Sequence, residues 1–141
     1  MTNPATARIT ESFARQSMMR SLGAQITVLG VGHCEVSAPI LPQMCQQHGA
    51  GHAGVTFALG DTAAGYAALS VMGPGREVMT AEMKINLLAP AVGVRLIARG
   101  RVVKPGRRLV VVIAEVEAEA ADGTRRLIAV LQGTMVPVDP E

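Results

Sequence analysis

Aromatic residues are almost absent from this sequence: they make up 2% of 141 residues, with two phenylalanines, one tyrosine and no tryptophan. The core must therefore be built from aliphatic side chains. Hydrophobic residues make up 49% of the chain and charged residues 17%, a balance that argues against global disorder. This length suits one domain with a real core and is too short for two ordinary ones. We therefore expect a single domain over residues 1–141.

The sequence also has few cysteines and only a small net charge. Cys34 and Cys45 are too few for a disulfide framework, and we expect a reducing, cytoplasmic setting. The net charge of +2 does not indicate a nucleic-acid partner. The N-terminus lacks the apolar core of a signal peptide. No Asp, Glu, Lys or Arg occurs between Val36 and Gly60, but prolines, glutamines and histidines interrupt that run, so we predict no transmembrane helix and no membrane partner.

The order of elements predicts an α+β domain, in which one antiparallel sheet wraps around one long helix. An N-terminal helical segment occupies residues 1–23, with one helix over 6–22 and Gly23 as its stop signal. The long helix covers about residues 54–71. Strands are predicted at 25–29, 33–38, 79–87, 94–103, 109–118 and 127–136. In the strand 79–87 the apolar residues alternate with Thr80, Glu82, Lys84 and Asn86, which we place on the opposite, polar face.

Asp61 is the single charged residue of the long predicted helix. Burying an unpaired carboxylate costs several kcal/mol or raises its pKa. One face of the helix, which we assign to the sheet, carries Val55, Leu59, Thr62 and Tyr66. Asp61 lies on roughly the opposite face, among small residues.

Two interpretations of Asp61 stay open from the residues alone. Perturbed carboxylates concentrate at functional sites, so Asp61 can serve a cleft lined by small residues. Alternatively, this face packs on a second subunit, where Asp61 makes a structural hydrogen bond. Glycine inside a helix costs about 1 kcal/mol relative to alanine, so Gly60 and Gly65 indicate close approach by another surface or a ligand. The small-residue face has no obvious cover within one chain.

A glycine-rich loop, residues 48–54, leads directly into the N-terminus of this helix. Free backbone N–H groups at a helix N-terminus can hold an anion or a developing oxyanion. The loop lies about two helical turns from Asp61. A polarising element and a carboxylate at that spacing suit acyl transfer or hydrolysis.

The same loop raises the alternative of a zinc site, with Cys45, His48 and His52 as ligands. Gly49 and Gly51 make the intervening segment a poor helix, and no second cluster of cysteine and histidine supports the site. We therefore predict that the chain binds no metal.

A basic stretch follows in the second half of the chain, where no acidic residue occurs between Glu82 and Glu115. Such a stretch can dock a phosphorylated ligand, or it can be a solvated face of the sheet. Its members are Arg95, Arg99, Arg101, Lys104, Arg107 and Arg108.

Four segments resemble the hotdog-fold acyl-CoA thioesterases of the phenylacetate-pathway (PaaI-like) family. They are residues 46–65, 80–90 (TAEMKINLLAP), 102–107 (VVKPGR) and 133–135 (GTM). The resemblance implies a hotdog fold, with a curved antiparallel sheet around the long helix. It also implies a homodimer or homotetramer with paired sheets, an active site between subunits, and no cofactor apart from the coenzyme A of the substrate.

The resemblance also assigns a role to each matching residue. Asp61 matches the catalytic carboxylate, and Thr80 matches the residue that assists it. Gln46 matches the amide that positions the thioester or the water. Ala53, next to Gly54, matches the residue whose backbone N–H polarises the carbonyl, and His52 matches a histidine that supports the loop. The family usually has His-Gly-Gly where this chain has His-Ala-Gly. The N–H is retained, so the added methyl group bears on substrate range more than on reaction type.

Residues and resemblance together predict hydrolysis of an acyl-CoA or aryl-CoA thioester, with Asp61 as general base or nucleophile. Lys104, Arg107 and Arg108 are the predicted contacts of the coenzyme A phosphates. The alternative is a non-catalytic acyl-CoA-binding or regulatory hotdog protein, against which the full set of site residues argues. A hydratase or dehydratase would need a differently placed His/Asp pair, which the sequence lacks.

Overall fold

The computed structural model describes residues 3–141, and its elements follow the predicted order. The helices are α1 (Pro4–Ala14), α2 (Ser17–Ser21) and α3 (Ala53–Leu69), with a 3₁₀ turn at Pro42–Met44. The strands are β1 (Gln25–Gly30), β2 (His33–Pro39), β3 (Glu77–Leu87), β4 (Arg95–Pro105), β5 (Val110–Glu119) and β6 (Arg125–Val138). No helix within residues 3–141 is long and apolar enough to cross a membrane.

The six strands form one antiparallel sheet in the order β1-β2-β4-β5-β6-β3. Alternate residues of β5, including Val112, Ala114 and Val116, are buried on the inner face, where they pack against α3. Aliphatic side chains fill this core, as the scarcity of aromatic residues predicts. The result is an antiparallel sheet curved around one long helix, with a short helix before it, which is the architecture expected of a hotdog fold.

The helix α3 approaches the sheet closely at two glycines. A Cβ at Gly60 would lie 2.9 Å from both terminal carbons of Leu131 on β6. Gly100 on β4 lies directly against the backbone of α3, with no space for a Cβ. Close contact with the sheet of the same chain therefore explains why residue 60 is glycine. No ligand or second subunit is required for this explanation.

The prediction of one helix over residues 6–22 is wrong, because the chain breaks between α1 and α2. Arg15 ends α1, and Gln16 has an extended backbone with φ −78° and ψ 101°. The side chain of Gln16 donates a hydrogen bond to the hydroxyl of Tyr66 at 2.7 Å. This polar contact fixes the turn, and hydrophobic periodicity along the chain carries no sign of it.

A bulge in β3 overturns the predicted faces of the residues before it, Met79 and Thr80, whereas Met83 and Ile85 after it face the core as predicted. The register shifts between Thr80 and Glu82, so one extra residue reverses the alternation of side chains. Thr80 pairs with Met135, which is fully buried on the inner face. Directly opposite residues share a face, so Thr80 points inward and not outward with Glu82. Met79, predicted on the core face, is 59% exposed.

The second half of α3 is buried on every side, since each residue from Ala63 to Leu69 is buried. The expectation that its small-residue face lacks a cover within the chain is therefore wrong for this half. Phe13 of α1 supplies part of the cover, packing edge-on against Tyr66 with ring centroids 6.1 Å apart. The first half is more open, with Gly54 exposed.

Candidate active site

Asp61 and Thr80 form a hydrogen-bonded pair on the inner side of the sheet. The Thr80 hydroxyl donates to Oδ1 of Asp61 at 2.8 Å. Burial raises the pKa of Asp61 above the ordinary value of 3.8, and the hydrogen bond from Thr80 acts in the opposite direction. A carboxylate with a raised pKa is a stronger base, and Thr80 fixes the direction in which its second oxygen points.

A cavity of about 200 Å³ lies beside this pair. Its walls come from α1, α3, β3 and β6, and they include Gly65, Tyr66 and Glu77. Asp61 and Thr80 both line it. A small group entering the cavity would therefore sit directly against the carboxylate.

The loop before α3 leaves one backbone donor free. His52 is the N-cap of α3, and its Nδ1 accepts from the Gly54 N–H at 2.8 Å. The His52 carbonyl accepts from the Val55 N–H at 2.9 Å. The Ala53 N–H has no acceptor among residues 3–141, and it stands at the positive end of the helix dipole. This donor can polarise a carbonyl oxygen.

Gln46 folds back across the same loop. Its Oε1 accepts from the His48 N–H at 2.5 Å, and its backbone N–H donates to the Ala50 carbonyl at 2.8 Å. The carboxamide nitrogen is left to donate elsewhere. Gln46, His52 and Ala53 border a second cavity, of about 490 Å³, whose far side is formed by residues 87–91.

One chain does not bring the predicted site residues to one point. Asp61 and Thr80 line the first cavity, whereas Gln46, His52 and Ala53 line the second. Eight residues of α3 separate Ala53 from Asp61, a rise of about 12 Å along the helix. A reacting carbonyl needs its base and its oxyanion donor each at about 3 Å. The structure therefore places the predicted site residues in two separate groups.

The basic stretch divides into paired and unpaired members. Arg95 forms an ion pair with Glu119 at 2.7 Å, and Arg99 pairs with both Glu35 and Glu117. These two arginines are neutralised on the outer face of the sheet, so the docking interpretation applies only to the other members of the stretch. Lys104, Arg107 and Arg108 are exposed, and none has an ion-pair partner in the described part of the chain.

The turn that carries these three residues lies at the same end of the sheet as Asp61. Val110, just after the turn, pairs with Met135 of β6. Met135 in turn pairs with Thr80 of β3. Neighbouring strands lie about 4.8 Å apart, so only two strand spacings separate β5 from the strand that bears Thr80.

Two of the three residues considered as zinc ligands have other contacts. The Cys45 thiol donates to the Leu41 carbonyl at 3.4 Å, and Nδ1 of His52 is occupied by the Gly54 N–H. Within residues 3–141 no group of three or more His, Cys, Asp or Glu side chains is placed to hold a metal ion.

Tyr66 is the site residue that sequence reasoning missed. We assigned it to the sheet face of α3, yet its hydroxyl contacts Ser12 and Gln16 at the end of the Asp61 cavity. One signal was available: a single tyrosine in an apolar helix needs a hydrogen-bond partner for its hydroxyl once it is buried.

Comparison with known proteins agrees with this geometry. The family model of the thioesterase superfamily matches residues 48–124, more than half of the chain. The chain belongs to the thioesterase superfamily. A thioesterase family protein from Silicibacter pomeroyi is 41% identical to this chain. The two structures have a TM-score of 0.94, and the match covers 96% of this chain and 99% of the other.

Two more distant structures share the fold. The E. coli PaaI protein from the phenylacetic acid degradation operon is 23% identical, with a TM-score of 0.83 over 95% of this chain and 93% of the other. A thioesterase from Haemophilus influenzae is 22% identical, with a TM-score of 0.80 over 92% and 88% of the two chains. The predicted hotdog fold and PaaI-like resemblance are thereby confirmed, and thioester hydrolysis is the reaction class of this thioesterase-superfamily chain.

Proposed function

We propose that this protein hydrolyses an acyl-CoA or aryl-CoA thioester to the free acid and coenzyme A. The observation that carries the proposal is a half-buried carboxylate, Asp61, held by Thr80 against a small cavity in a chain of the thioesterase superfamily. The raised pKa of Asp61 suits proton abstraction near neutral pH. The Ala53 N–H supplies the matching donor for the thioester oxygen.

Two routes fit these groups. In the first, Asp61 takes a proton from water, the hydroxide attacks the thioester carbon, and the C–S bond breaks as Asp61 returns the proton to the sulfur, so that coenzyme A leaves as the thiol. In the second, the Asp61 carboxylate attacks the carbon itself, coenzyme A leaves, and water then hydrolyses the mixed anhydride. Thr80 occupies Oδ1 of Asp61 in both routes, which leaves Oδ2 for the reaction.

The working site in this proposal lies between two copies of the chain. β3 is an edge strand of the sheet, and its outer edge has no partner among residues 3–141. Apolar side chains lie exposed along it and just after it: Met79 is 59% exposed, and Leu87 and Leu88 are each 55% exposed. A long apolar edge strand is a ready surface for pairing with another strand. We therefore propose a homodimer, or a homotetramer built from such dimers, with sheets joined along β3.

The direction of β3 explains why this pairing completes the site. Thr80 lies near its start, beside Asp61, whereas Leu87 ends the strand beside the cavity of Ala53. Two copies related by a two-fold axis pair antiparallel. The start of one β3 then faces the end of the other, so that Asp61 of one chain approaches the Ala53 loop of the second copy.

Thiol release measured across a panel of acyl-CoA and aryl-CoA esters tests the proposed function. Turnover of at least one ester, with saturation in substrate, supports it. Tight binding of the esters without turnover would instead favour the alternative of a non-catalytic acyl-CoA-binding or regulatory hotdog protein.

Lys104 and Arg107 are the proposed contacts of the coenzyme A phosphates. Replacing either by alanine is expected to raise KM about fivefold with little change in kcat, because one exposed phosphate contact contributes about 1 kcal/mol. The effect should disappear with an acyl-pantetheine ester, which has no nucleotide. Steady-state kinetics with both ester types measures this.

Arg126→Ala is the matched control, since Arg126 is equally exposed but lies at the other end of β5 and β6. It should leave both KM values unchanged. Equal KM values for wild type and for the Lys104 and Arg107 variants would identify the turn as an ordinary solvated surface.

We also propose a reducing compartment and no cofactor for this enzyme. Cys34 and Cys45 are both free. Burial raises the pKa of the Cys34 thiol to about 12, so this thiol has little thiolate character and takes no part in the proposed chemistry.

A further inference from the structure

The Asp61 cavity ends at a polar cluster that none of the reaction steps uses. Tyr66 is 4% exposed. Its hydroxyl accepts a hydrogen bond from Nε2 of Gln16 at 2.7 Å and lies 3.0 Å from Oγ of Ser12. We call these three residues the end wall.

The end wall is held in place from outside the cavity. Arg8 of α1 donates to the carbonyls of Leu69 and Gly73, both at 3.0 Å, which fixes α1 against the end of α3. Phe13 packs edge-on against the ring of Tyr66. The position of the Tyr66 hydroxyl is therefore determined by the fold before any substrate enters.

The end wall has one hydroxyl hydrogen that its internal hydrogen bonds do not use. Gln16 can only donate through Nε2, so the Tyr66 oxygen is an acceptor in that bond. The hydroxyls of Tyr66 and Ser12 carry two hydrogen atoms, and the bond between them uses one. The other has no acceptor among residues 3–141. Tyr66 is buried, whereas Ser12 is half-buried, and a buried hydroxyl normally finds an acceptor.

Gly65 leaves open space between Asp61 and the end wall. It is buried within α3, one turn after Asp61, and it lines the cavity. A Cβ at this position would meet only the terminal carbon of Met135, at 3.9 Å, which is an ordinary contact. Protein packing therefore gives no reason for glycine here, unlike at Gly60, although glycine destabilises a helix interior.

The two cavities differ in their lining. The end wall and the fully buried Met135 line the Asp61 cavity, whereas the exposed Leu87 and Leu88 line the Ala53 cavity. An acyl group whose carbonyl carbon lies at Asp61 can extend along the Asp61 cavity to the end wall.

We propose that the end wall and Gly65 determine acyl specificity, selecting compact acyl groups with an oxygen atom at the distal end. This inference rests on the proposed acyl-CoA hydrolysis. A cavity of about 150 Å³ can hold benzene, so about 200 Å³ has room for a short acyl group and is too small to enclose a long fatty acyl chain. The distal oxygen accepts the spare hydrogen of the end wall.

The test of polarity compares hexanoyl-CoA with 6-hydroxyhexanoyl-CoA. Wild type is expected to prefer the hydroxylated ester in kcat/KM by about tenfold, the value of one hydrogen bond. Tyr66→Phe combined with Ser12→Ala removes both hydroxyl hydrogens of the end wall and should bring this ratio close to one. The control Thr10→Val removes another α1 hydroxyl, which bonds to the Thr6 carbonyl, and should keep the wild-type ratio. An unchanged ratio in the double variant, or an equal loss on both esters, would overturn the proposal.

The test of size uses Gly65→Ala, with Gly73→Ala as the control because a Cβ at Gly73 meets open space. Gly65→Ala should lower kcat/KM for hexanoyl-CoA about tenfold more than for acetyl-CoA, with an unchanged or higher melting temperature. Equal effects on both esters would contradict the proposal while leaving acyl-CoA hydrolysis intact. If wild type hydrolyses another ester of the acyl-CoA and aryl-CoA panel but none of these, this inference fails while the proposed function stands. If it hydrolyses no ester of the panel, both fail.

Discussion

Asp61→Asn is expected to lower thiol release by at least about a hundredfold, the lower range for a positioned acid–base group. If Asp61 is the nucleophile, the loss should be greater still. The substitution keeps the size of the side chain and removes its charge, so the fold should persist. Substrate binding should persist too, because the Ala53 loop and the basic turn are untouched. Turnover and equilibrium binding of a thioester by the variant measure the two effects separately.

Glu115→Gln is the control for this result, since Glu115 is an exposed carboxylate on the outer face of the sheet with no ion-pair partner among residues 3–141. It should retain wild-type turnover. Loss of assembly or a large fall in melting temperature in Asp61→Asn would favour a purely structural role for Asp61. Unchanged turnover in the folded variant would remove Asp61 from the mechanism.

Asp61→Asn also tests how the burial of this carboxylate affects the stability of the protein. The pKa of Asp61 is raised in the folded state, so the native protein binds this proton more tightly than the unfolded chain does. The contribution of Asp61 to the free energy of unfolding should therefore fall as pH rises from about 4 through the folded pKa. Asn cannot ionise, so Asp61→Asn should gain stability relative to wild type over that window. Urea unfolding at several pH values follows the difference.

Ala53→Pro is expected to lower kcat by about a hundredfold to a thousandfold, the range for loss of one oxyanion donor. Proline removes the one N–H at the start of α3 that has no acceptor among residues 3–141. The fold should tolerate the change. Proline is favoured at the first position of a helix, and His52 before it already has φ −62° and ψ 138°, the extended backbone that a residue preceding proline prefers.

Ala53→Gly is the matched variant, because it restores the residue usual in the PaaI-like family and keeps the N–H. It should retain turnover, with any change confined to the range of acyl groups accepted. If Ala53→Pro folds, binds substrate and hydrolyses it at the wild-type rate, the carbonyl is polarised by another group.

The long helix and the alternating strands were predictable because their periodicity is a local property of the sequence. Asp61 was identifiable for the same reason, as the single charge in an apolar helix. The inward position of Thr80 was not, since it depends on one extra residue in β3 and on its register with β6. A regular alternation of period two assigns Thr80 to the wrong face.

The end of the cavity could not be predicted from the sequence because two distant segments of the chain form it. Ser12 and Gln16 meet Tyr66 across 54 and 50 residues, and nothing in either segment alone specifies the contact. The pairing of Arg95 and Arg99 was hidden for the same reason. Their partners on β2 and β5 become neighbours only through the antiparallel register.

Subunit complementation tests the central claim, that each active site combines Asp61 of one chain with the Ala53 loop of another. Asp61→Asn and Ala53→Pro chains, each nearly inactive alone, are unfolded together in equal amounts and refolded. Random pairing makes about half of the dimers mixed, and each mixed dimer holds one intact site of two, so about a quarter of wild-type activity should return. The same chains refolded separately and then combined without exchange should stay inactive. Activity no higher than the sum of the two variants, in a sample shown to contain mixed dimers, would contradict a site shared between subunits.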